Sequence, residues 1–562
     1  MGLNARIQMD AKPHTAVYRM HKYFARRPWN VFAELVSIYT SEGEIVLDPF
    51  CGGGVTVVEA LKLRRRAIGV DVNPLATYVT SMECRPVNLS KFVTAFKELS
   101  ERAGDEISSY YIAQCSKCGS EAIADWFEWD EKANQIIRLK YNCSRCGSLE
   151  RAAKESDQRL VRKTERSFAD TVRRRGLWFP TTPILPGDKT NSLLAQGFGT
   201  FRELFTKRNL LALSILRKEI ENTTDEADRK LLSFLLSSSL KWASRQSHLR
   251  GKIVEGWAIH AYWVYARSLE MNVWNVYKRR YRAVLNGKMY SEEHIGDYCK
   301  FGQHFSDLVD GPATCLLLNQ DAAGLPIPDN SVDAVITDPP YGANVNYAEL
   351  TDFWYIWMSH GQPINKKDEI VINKTQGKTI DDYETRLGSV FKECNRVLKP
   401  SKYFVSTFNS KDFRIVASFI MAASRAGLRL LPEGVVYQKP IRPYMTTFHA
   451  MQIGAFVGDF IFTFKKEPIQ SGNRPVSGEL QRLRDKLSQL IEKTAKSGRP
   501  EPALREQAYK ELIPFLAKYA STDEQRCKDA VDFFESEIRE YEKYFKMTRK
   551  RLTERRKRVF LN

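Results

Sequence analysis

Residues 334–341 read Ala-Val-Ile-Thr-Asp-Pro-Pro-Tyr, an apolar run that ends abruptly in an acid, two prolines and a tyrosine. The run begins at Val332 and predicts a buried strand, which must stop before Asp338 because proline cannot donate to a sheet ladder. Ligands of open α/β sheets bind beyond the carboxyl ends of the strands, so this loop should face a ligand crevice. Asp338 and the carbonyl of Pro339 offer two acceptors and Tyr341 an aromatic face, a set that suits a planar group bearing an amine. Alone, the same four residues fit an ordinary proline turn equally well.

A second stretch, residues 44–60, reads Glu-Ile-Val-Leu-Asp-Pro-Phe-Cys-Gly-Gly-Gly-Val-Thr-Val-Val-Glu-Ala. Its apolar strand runs into three glycines and a helical pattern, and a further strand over residues 67–70 then ends in Asp71. This order predicts a nucleotide-binding βαβ unit. The glycines let the backbone turn sharply and approach a ligand, and the acid can accept hydrogen bonds from ribose hydroxyls.

Together, Asp48-Pro-Phe-x-Gly-x-Gly and Asp338-Pro-Pro-Tyr341 resemble the S-adenosylmethionine-dependent DNA amino-methyltransferases, which methylate N6 of adenine or N4 of cytosine. The resemblance implies an α/β fold with a Rossmann-like methyltransferase sheet, S-adenosylmethionine as cofactor and duplex DNA with a flipped target base as substrate. Adenine is favoured, because within the family aspartate in the first motif position goes more often with adenine and serine with cytosine. The ring face of Tyr341 would stack on the base, so Tyr341→Phe should be nearly silent.

The resemblance also assigns two sets of site residues. Residues 320–333 resemble the segment that contacts the cofactor's adenine, with Asp321 as the acceptor, and residues 18–29 resemble a motif that packs over its methionine end. The cofactor-binding set is Asp48, Phe50, Gly52, Gly54, Asp71, Asn73, Asp321 and Ala322. The catalytic set is Asp338, Pro339, Pro340 and Tyr341.

One feature departs from the family pattern, since roughly 250 residues separate Asp71 from Asp321. We therefore expect a methyltransferase sheet split by a large insertion. The predicted regions are a cofactor-binding half at 1–84, a linker and zinc ribbon at 85–150, a mainly helical insertion for target recognition at 151–312, a catalytic half at 313–467 and a basic helical region at 468–562.

Two matching knuckles, Cys115-Ser-Lys-Cys118 and Cys143-Ser-Arg-Cys146, have 24 residues between them. Four thiolates at this spacing predict a tetrahedral Zn²⁺ site, with hairpin strands over residues 126–139. Its role should be structural, since so small a module cannot bury enough core unaided. Cys143→Ser should then unfold the ribbon locally. Redox-active cysteine pairs are the alternative, but they would need a thioredoxin-like strand and helix around one pair.

The helical insertion contains one clear helix start and one ambiguous cluster of aromatic residues. Thr206 is a candidate cap for a helix that runs to about Asn222. Aromatic and basic residues alternate from Trp257 to Tyr281, and we favour a buried core over a nucleic-acid surface there. At the C-terminus, residues 546–559 are densely basic. A solvated helix face, DNA backbone contact and a partner-binding helix pair all fit this run.

The net charge of +19 favours a polyanionic partner, and nucleic acid fits better than an acidic membrane surface. The chain has no run of about 18 apolar residues and no signal-peptide layout, so we expect no membrane association and a cytoplasmic location.

Several other activities lack their sequence signals. No GxxxxGK[ST] loop is present for ATP-driven translocation, and no Pro-Cys dipeptide for attack on a pyrimidine ring. Three hypotheses remain: a DNA amino-methyltransferase, an RNA amino-methyltransferase, and a non-catalytic zinc-bearing nucleic-acid binder. The intact glycine loop and Asp338 motif speak against the third. The sequence does not distinguish three cellular roles: restriction–modification as the partner of a nuclease, phage defence, or a solitary regulator.

Overall fold

The computed structural model describes residues 10–257, 259–438, 458–467, 478–497, 501–520 and 522–559, with side chains described throughout except at 497, 501–503 and 544–559.

Sixteen strands lie within these described residues. They are β1 Ile45–Asp48, β2 Arg66–Val70, β3 Ile112–Gln114, β4 Glu121–Asp130, β5 Gln135–Cys143, β6 Gly147–Ala152, β7 His248–Arg250, β8 Ile253–Glu255, β9 Arg267–Met271, β10 Phe301–Gly302, β11 Cys315–Leu318, β12 Val332–Thr337, β13 Leu398–Phe408, β14 Leu428–Leu430, β15 Val436–Gln438 and β16 Asp459–Lys466.

The α-helices in the same part of the chain vary from one short turn to a 36-residue C-terminal helix. They are α1 Trp29–Tyr39, α2 Val55–Lys62, α3 Pro74–Cys84, α4 Leu89–Ser109, α5 Glu155–Arg175, α6 Asn191–Ala195, α7 Lys207–Glu221, α8 Glu226–Ala243, α9 Val273–His294, α10 Phe305–Val309, α11 Tyr347–Met358, α12 Ile380–Val397, α13 Phe413–Arg425, α14 Glu479–Ser497, α15 Glu501–Tyr519 and α16 Glu524–Val559. Short 3₁₀ helices cover Val17–Arg19, Phe201–Leu204, Gly296–Tyr298 and Pro432–Gly434.

A nine-stranded mixed sheet forms the centre of the described structure, with strand order β10-β11-β2-β1-β12-β13-β16-β14 and β15 also paired to β16. The pairs from β10 to β13 are parallel, and β16 is antiparallel to β13, β14 and β15. Val46 lies opposite Ala334 and Leu47 opposite Val335, so β1 and β12 end at the same edge. The two motifs, which are nearly 300 positions apart in sequence, therefore meet at one edge of the sheet.

Both faces of the sheet are covered, which explains why its central strands are almost uninterrupted apolar runs. Val46 and Ala334 point into one core, shared with α1, α2 and the insertion, while Leu47 and Val335 point into the other. Gly69 in β2 allows the close packing, because a Cβ there would lie 2.9 Å from Val57 Cγ2 and from Leu317 Cδ2.

The ribbon strands are confirmed, and they are joined to the insertion rather than standing apart from it. Strands β3 to β6 form an antiparallel sheet whose long strand β4 also pairs with β9. Glu270 of β9 accepts hydrogen bonds from Arg208 Nε at 2.8 Å and from Trp129 Nε1 at 2.7 Å. Thr206 caps α7 by accepting from Asn209 N, as the sequence predicts.

The sequence predicts that the aromatic cluster from Trp257 to Tyr281 is buried core. This is confirmed for Trp257, Trp274 and Tyr277, all of which are buried. Trp263, by contrast, is exposed. The sequence over residues 428–437 and 454–464 predicts a closing antiparallel pair of strands. The single strand predicted over residues 428–437 is wrong. It is divided into β14 and β15 because Pro432 lacks an N–H for the ladder and opens a 3₁₀ turn. Its expected partner was residues 454–464, of which 454–457 lie outside the described residues and the rest belong to β16.

The C-terminal helices α14, α15 and α16 belong to the second core, together with residues of β13, α13 and β16. Tyr509 in α15 donates to the Ser410 carbonyl at 3.0 Å, and Glu535 in α16 accepts from Phe413 N at 2.6 Å. The helix predicted for residues 546–559 is confirmed. Contact of this segment with DNA or with a protein partner stays a prediction. Across the described residues, no helix combines the length and apolarity needed to cross a bilayer.

Candidate active site

A cavity of about 990 Å³, measured with its open mouth, lies at the carboxyl edge of β1, β2, β11 and β12. The segments that line it include the loop after each of these strands, residues 23–27 before α1, and residues 364–370 after α11. The predicted residues that line it are Asp48, Phe50, Gly52, Asp71, Asn73, Asp321, Ala322, Asp338 and Pro340.

The loop after β1 is held in shape by Asp48 and by the backbone conformation of Gly54. Asp48 Oδ1 accepts from Phe50 N at 3.1 Å and from Thr337 Oγ1 at 2.6 Å, which ties the loop to the end of β12. Burial raises the pKa of Asp48 to about 7. Gly54 has φ +78°, and a Cβ there would lie 2.7 Å from Thr80 Oγ1. Gly54 is not in the cavity lining; it shapes the turn instead.

Asp71 organises the neighbouring loop with both carboxylate oxygens. Oδ2 accepts from Gly52 N and Oδ1 from Asn73 N, each at 2.9 Å. Burial raises the pKa of Asp71 to about 6. Each oxygen keeps a second lone pair for a ligand hydroxyl. Asn73 caps α3 through Leu75 N at 3.0 Å and donates to Thr351 at 2.8 Å, so its side chain serves the fold.

The loop after β11 contributes Asp321, which is exposed at the cavity and accepts from Ala323 N at 2.9 Å. Ala322 beside it is buried.

Asp338 is the most heavily bonded acid of the site. Oδ1 accepts from Thr407 Oγ1 at 2.6 Å and from the Tyr341 hydroxyl, and Oδ2 accepts from Arg27 Nε at 2.6 Å. The Pro340 carbonyl accepts from Tyr383 at 2.6 Å. Pro339 is buried and does not line the cavity, and neither does Tyr341, whose ring lies under the Arg27 guanidinium.

Four further residues belong to the site, although the sequence does not predict them there. Arg27 lies in the quoted segment 18–29, but nothing in the sequence indicates that it pairs with an acid 311 positions later. Thr407 and Asp459 belong to strands β13 and β16, whose approach depends on the sheet order. Glu369 lies in the loop after α11. Its Oε1 accepts from Ala348 N at 3.0 Å, while its Oε2 is buried without a hydrogen-bond partner.

The four predicted metal ligands lie close together, with ligand atoms all within 4.8 Å of one another. Cys118 Sγ and Cys143 Sγ are 3.6 Å apart. A tetrahedral site with Zn–S bonds of 2.3 Å has S···S edges of about 3.8 Å, so the thiol set fits Zn²⁺. Gly119 and Gly147, at φ +73° and +76°, follow the two knuckles and allow each chain turn.

This arrangement defines an α/β protein with one cavity between the glycine loop after β1 and the Asp338 loop after β12. A family model described as DNA methylase, for N6 and N4 enzymes, matches residues 4–81 and 332–556, more than half of the chain. The chain belongs to this family. The match omits residues 82–331, which contain the ribbon and the helical insertion.

Two curated relatives are similar to parts of the chain. Type II methyltransferase M.MjaII of Methanocaldococcus jannaschii is 19% identical over 368 residues, which is 59% of this chain and 58% of the relative. Type II methyltransferase M.HindIII of Haemophilus influenzae is 41% identical over 74 residues, 12% of this chain and 24% of the relative. The chain thus spans less than two thirds of the length of either.

Two solved structures also match. One, described as a DNA modification methylase of Thermus thermophilus, has 16% identity and a TM-score of 0.16, over 30% of this chain and 59% of its own. The other is a geranyl diphosphate methyltransferase in complex with SAM, with 11% identity and a TM-score of 0.17, over 32% of this chain and 74% of its own. These scores are too low for a comparison of folds.

Proposed function

We propose that this protein is a DNA methyltransferase that transfers a methyl group from S-adenosylmethionine to the exocyclic amine of a flipped base, with adenine N6 favoured over cytosine N4. The observation that carries the proposal is the pairing of β1 with β12. It brings the glycine loop and the Asp338 loop to a single cavity.

The charge of the cavity suits a cationic cofactor. Six acids line its described part, and only two cations oppose them. Of these cations, Arg26 is neutralised by the buried Glu83 at 2.5 Å, and Arg27 by Asp338. When bound, S-adenosylmethionine supplies an electrophilic methyl group on a sulfonium centre. Asp71 would hold its ribose, Asp321 its adenine amine and Glu369 Oε2 its ammonium group.

The chain's own contribution to the reaction is hydrogen bonding and orientation. An exocyclic amine is a poor nucleophile because its lone pair is delocalised into the ring. Asp338 and the Pro339 carbonyl would accept the two amine protons and favour the pyramidal amine, whose lone pair can attack. A base stacked in a duplex cannot reach this loop, so it must be flipped out and held, a role we assign to the Tyr341 ring. No covalent intermediate is required.

The ribose contact gives a first test. Asp71→Ala should weaken S-adenosylmethionine binding by about 1.5–3 kcal/mol, the range for a hydrogen bond to a charged group. Calorimetric titration measures this directly, with Asp71→Asn as the matched control that keeps the side-chain shape and one acceptor oxygen. Wild-type affinity in Asp71→Ala would contradict the assignment of the glycine loop.

A pH dependence follows from Glu369, because burial raises its pKa to about 7. A cationic ligand binds the ionised carboxylate, so binding should release protons and S-adenosylmethionine affinity should rise roughly five- to tenfold from pH 6 to 7.5. Glu369→Gln should weaken binding at pH 7.5 and flatten most of this rise. Asp71, with its pKa at about 6, would account for the remainder. An unchanged pH profile in Glu369→Gln would exclude Glu369 from the cofactor site.

Both relatives are named as Type II methyltransferases, and we propose a restriction–modification role for this chain as well. The four-cysteine cluster supports a structural Zn²⁺ site. Single-molecule methylation mapping of DNA from cells that express the protein tests the proposed function. We expect one short modified sequence, with a much smaller fraction of its copies modified in cells that express Asp338→Ala. A genome without any modified site would contradict the proposal.

A further inference from the structure

Arg27 lies where the proposed function places the target base. Its Nε donates to Asp338 Oδ2 at 2.6 Å, and its guanidinium carbon lies 4.7 Å from the centroid of the Tyr341 ring. Those are the acceptor and the aromatic face that we assign to the flipped base. Arg27 and the base therefore cannot occupy both at once.

The chemical likeness between the two groups explains how one site can receive either. A guanidinium is planar, delocalised and rich in N–H donors, and it stacks on aromatic faces. The amine-bearing edge of adenine or cytosine is also planar and presents an N–H₂ group. Asp338 Oδ1 already accepts from Tyr341 and Thr407, so Oδ2, the oxygen held by Arg27, is the better placed acceptor for an amine proton.

A second carboxylate gives Arg27 an alternative partner. Arg27 Nη1 donates to Asp459 Oδ2 at 2.8 Å, and Asp459 begins β16 beside the end of β13. The side chains of Arg27, Asp338 and Asp459 are all about four-fifths buried. An arginine that left Asp338 would stay paired, because Asp459 would still hold its charge.

We propose that Arg27 is an internal placeholder that keeps Asp338 paired and oriented in the free protein and is displaced onto Asp459 when the flipped base enters. This inference rests on the proposed function, because it takes Asp338 and Tyr341 as the base site. It also supplies a source of selectivity. A base that cannot both stack on Tyr341 and donate to Asp338 would not compensate for the ion pair that it breaks.

The test uses the whole 562-residue chain and a duplex that carries the mapped site with its natural target base. The neighbouring position holds 2-aminopurine, whose fluorescence rises when the stacked target base beside it is extruded. Arg27→Lys keeps a positive charge beside Asp338 but loses the flat face on Tyr341. Arg27→Met loses both. We expect the extruded base to bind about five- to tenfold more tightly in Arg27→Met, with a smaller gain in Arg27→Lys.

Asp459→Asn is the opposing variant. It removes the second partner and holds Arg27 on Asp338, so we expect weaker binding of the extruded base, by about three- to tenfold. If Arg27 only stabilises the fold, all three variants should bind the extruded base more weakly. If Arg27 is a placeholder, the two Arg27 variants should bind the base more tightly and Asp459→Asn should bind it more weakly. S-adenosylmethionine affinity and the thermal unfolding midpoint, measured in parallel, show whether each variant is folded.

Weaker base binding in folded Arg27→Lys, or tighter binding in folded Asp459→Asn, would overturn the placeholder while leaving the proposed function intact. If wild-type protein fails to extrude the target base at all, the proposed function falls and the placeholder with it.

Discussion

Asp338→Ala is expected to lower turnover by about 10²-fold or more while S-adenosylmethionine affinity stays near that of the wild type. The loss is that of one preorganised acceptor aimed at the reacting amine. Asp338 accepts from Arg27, Tyr341 and Thr407, and it is therefore held in one orientation before any substrate arrives. Single-turnover methyl transfer with saturating cofactor measures the effect on chemistry, and calorimetry measures cofactor binding.

Two matched variants make this experiment sharper. Asp338→Asn keeps an acceptor oxygen in the same shape, so its loss of turnover should be smaller than that of alanine. The sequence predicts almost no loss of activity in Tyr341→Phe. In the structure, however, the Tyr341 hydroxyl donates a hydrogen bond to Asp338. We therefore expect a loss of about two- to tenfold, the range for one hydrogen bond. Full activity in Asp338→Ala would remove the basis of the assigned chemistry.

Cys143→Ser is expected to reduce the zinc content from one ion per chain to far below one and to destabilise more than the ribbon. Structural Zn²⁺ contributes roughly 10–16 kcal/mol of apparent binding free energy in small zinc modules. Strand β4 of the ribbon pairs with β9, and Cys115, Cys143 and Tyr141 belong to the same core as α7 and α8. Loss of the metal should therefore loosen β9 and the neighbouring insertion helices as well. The sequence predicts unfolding of the ribbon alone, so the destabilised region would then be larger than the sequence predicts.

Hydrogen exchange combined with metal analysis tests this. Protection should fall in residues 112–152 and 267–271, while β1, β12 and β13 of the central sheet stay protected. Cys394→Ser is the control, because Cys394 is a buried cysteine in α12 outside the cluster. It should retain zinc. Unchanged zinc content in Cys143→Ser would show that the four thiols do not hold the metal.

The sequence predicts the local parts of this fold well, because each depends on neighbouring residues. Prolines end β12, glycines shape the loop after β1, Thr206 caps α7, and the cysteine spacing predicts the ribbon strands. The proline, glycine and cap signals act within a few positions along the chain, and the two cysteine knuckles have only 24 residues between them.

The long-range parts could not be predicted in the same way. Hydrophobic periodicity shows which face of an element is apolar, but it does not show which element covers that face. The pairing of β4 with β9 and the packing of α15 and α16 on the sheet are of this kind. The ion pair of Arg27 with Asp338 is also a long-range feature. A basic segment in the sequence does not indicate which acid it will pair with.

The central claim is methyl transfer to an exocyclic amine of DNA, and the most direct measurement is the fate of a labelled methyl group. Purified protein is incubated with labelled S-adenosylmethionine and duplex DNA that contains the mapped site, and the DNA is then digested to nucleosides and separated. The proposed function predicts label in N6-methyladenine, with the rate of labelling lower by about 10²-fold or more in Asp338→Ala. Label in N4-methylcytosine would keep the reaction and change the base. Label in 5-methylcytosine, or transfer to RNA in place of DNA, would contradict the account.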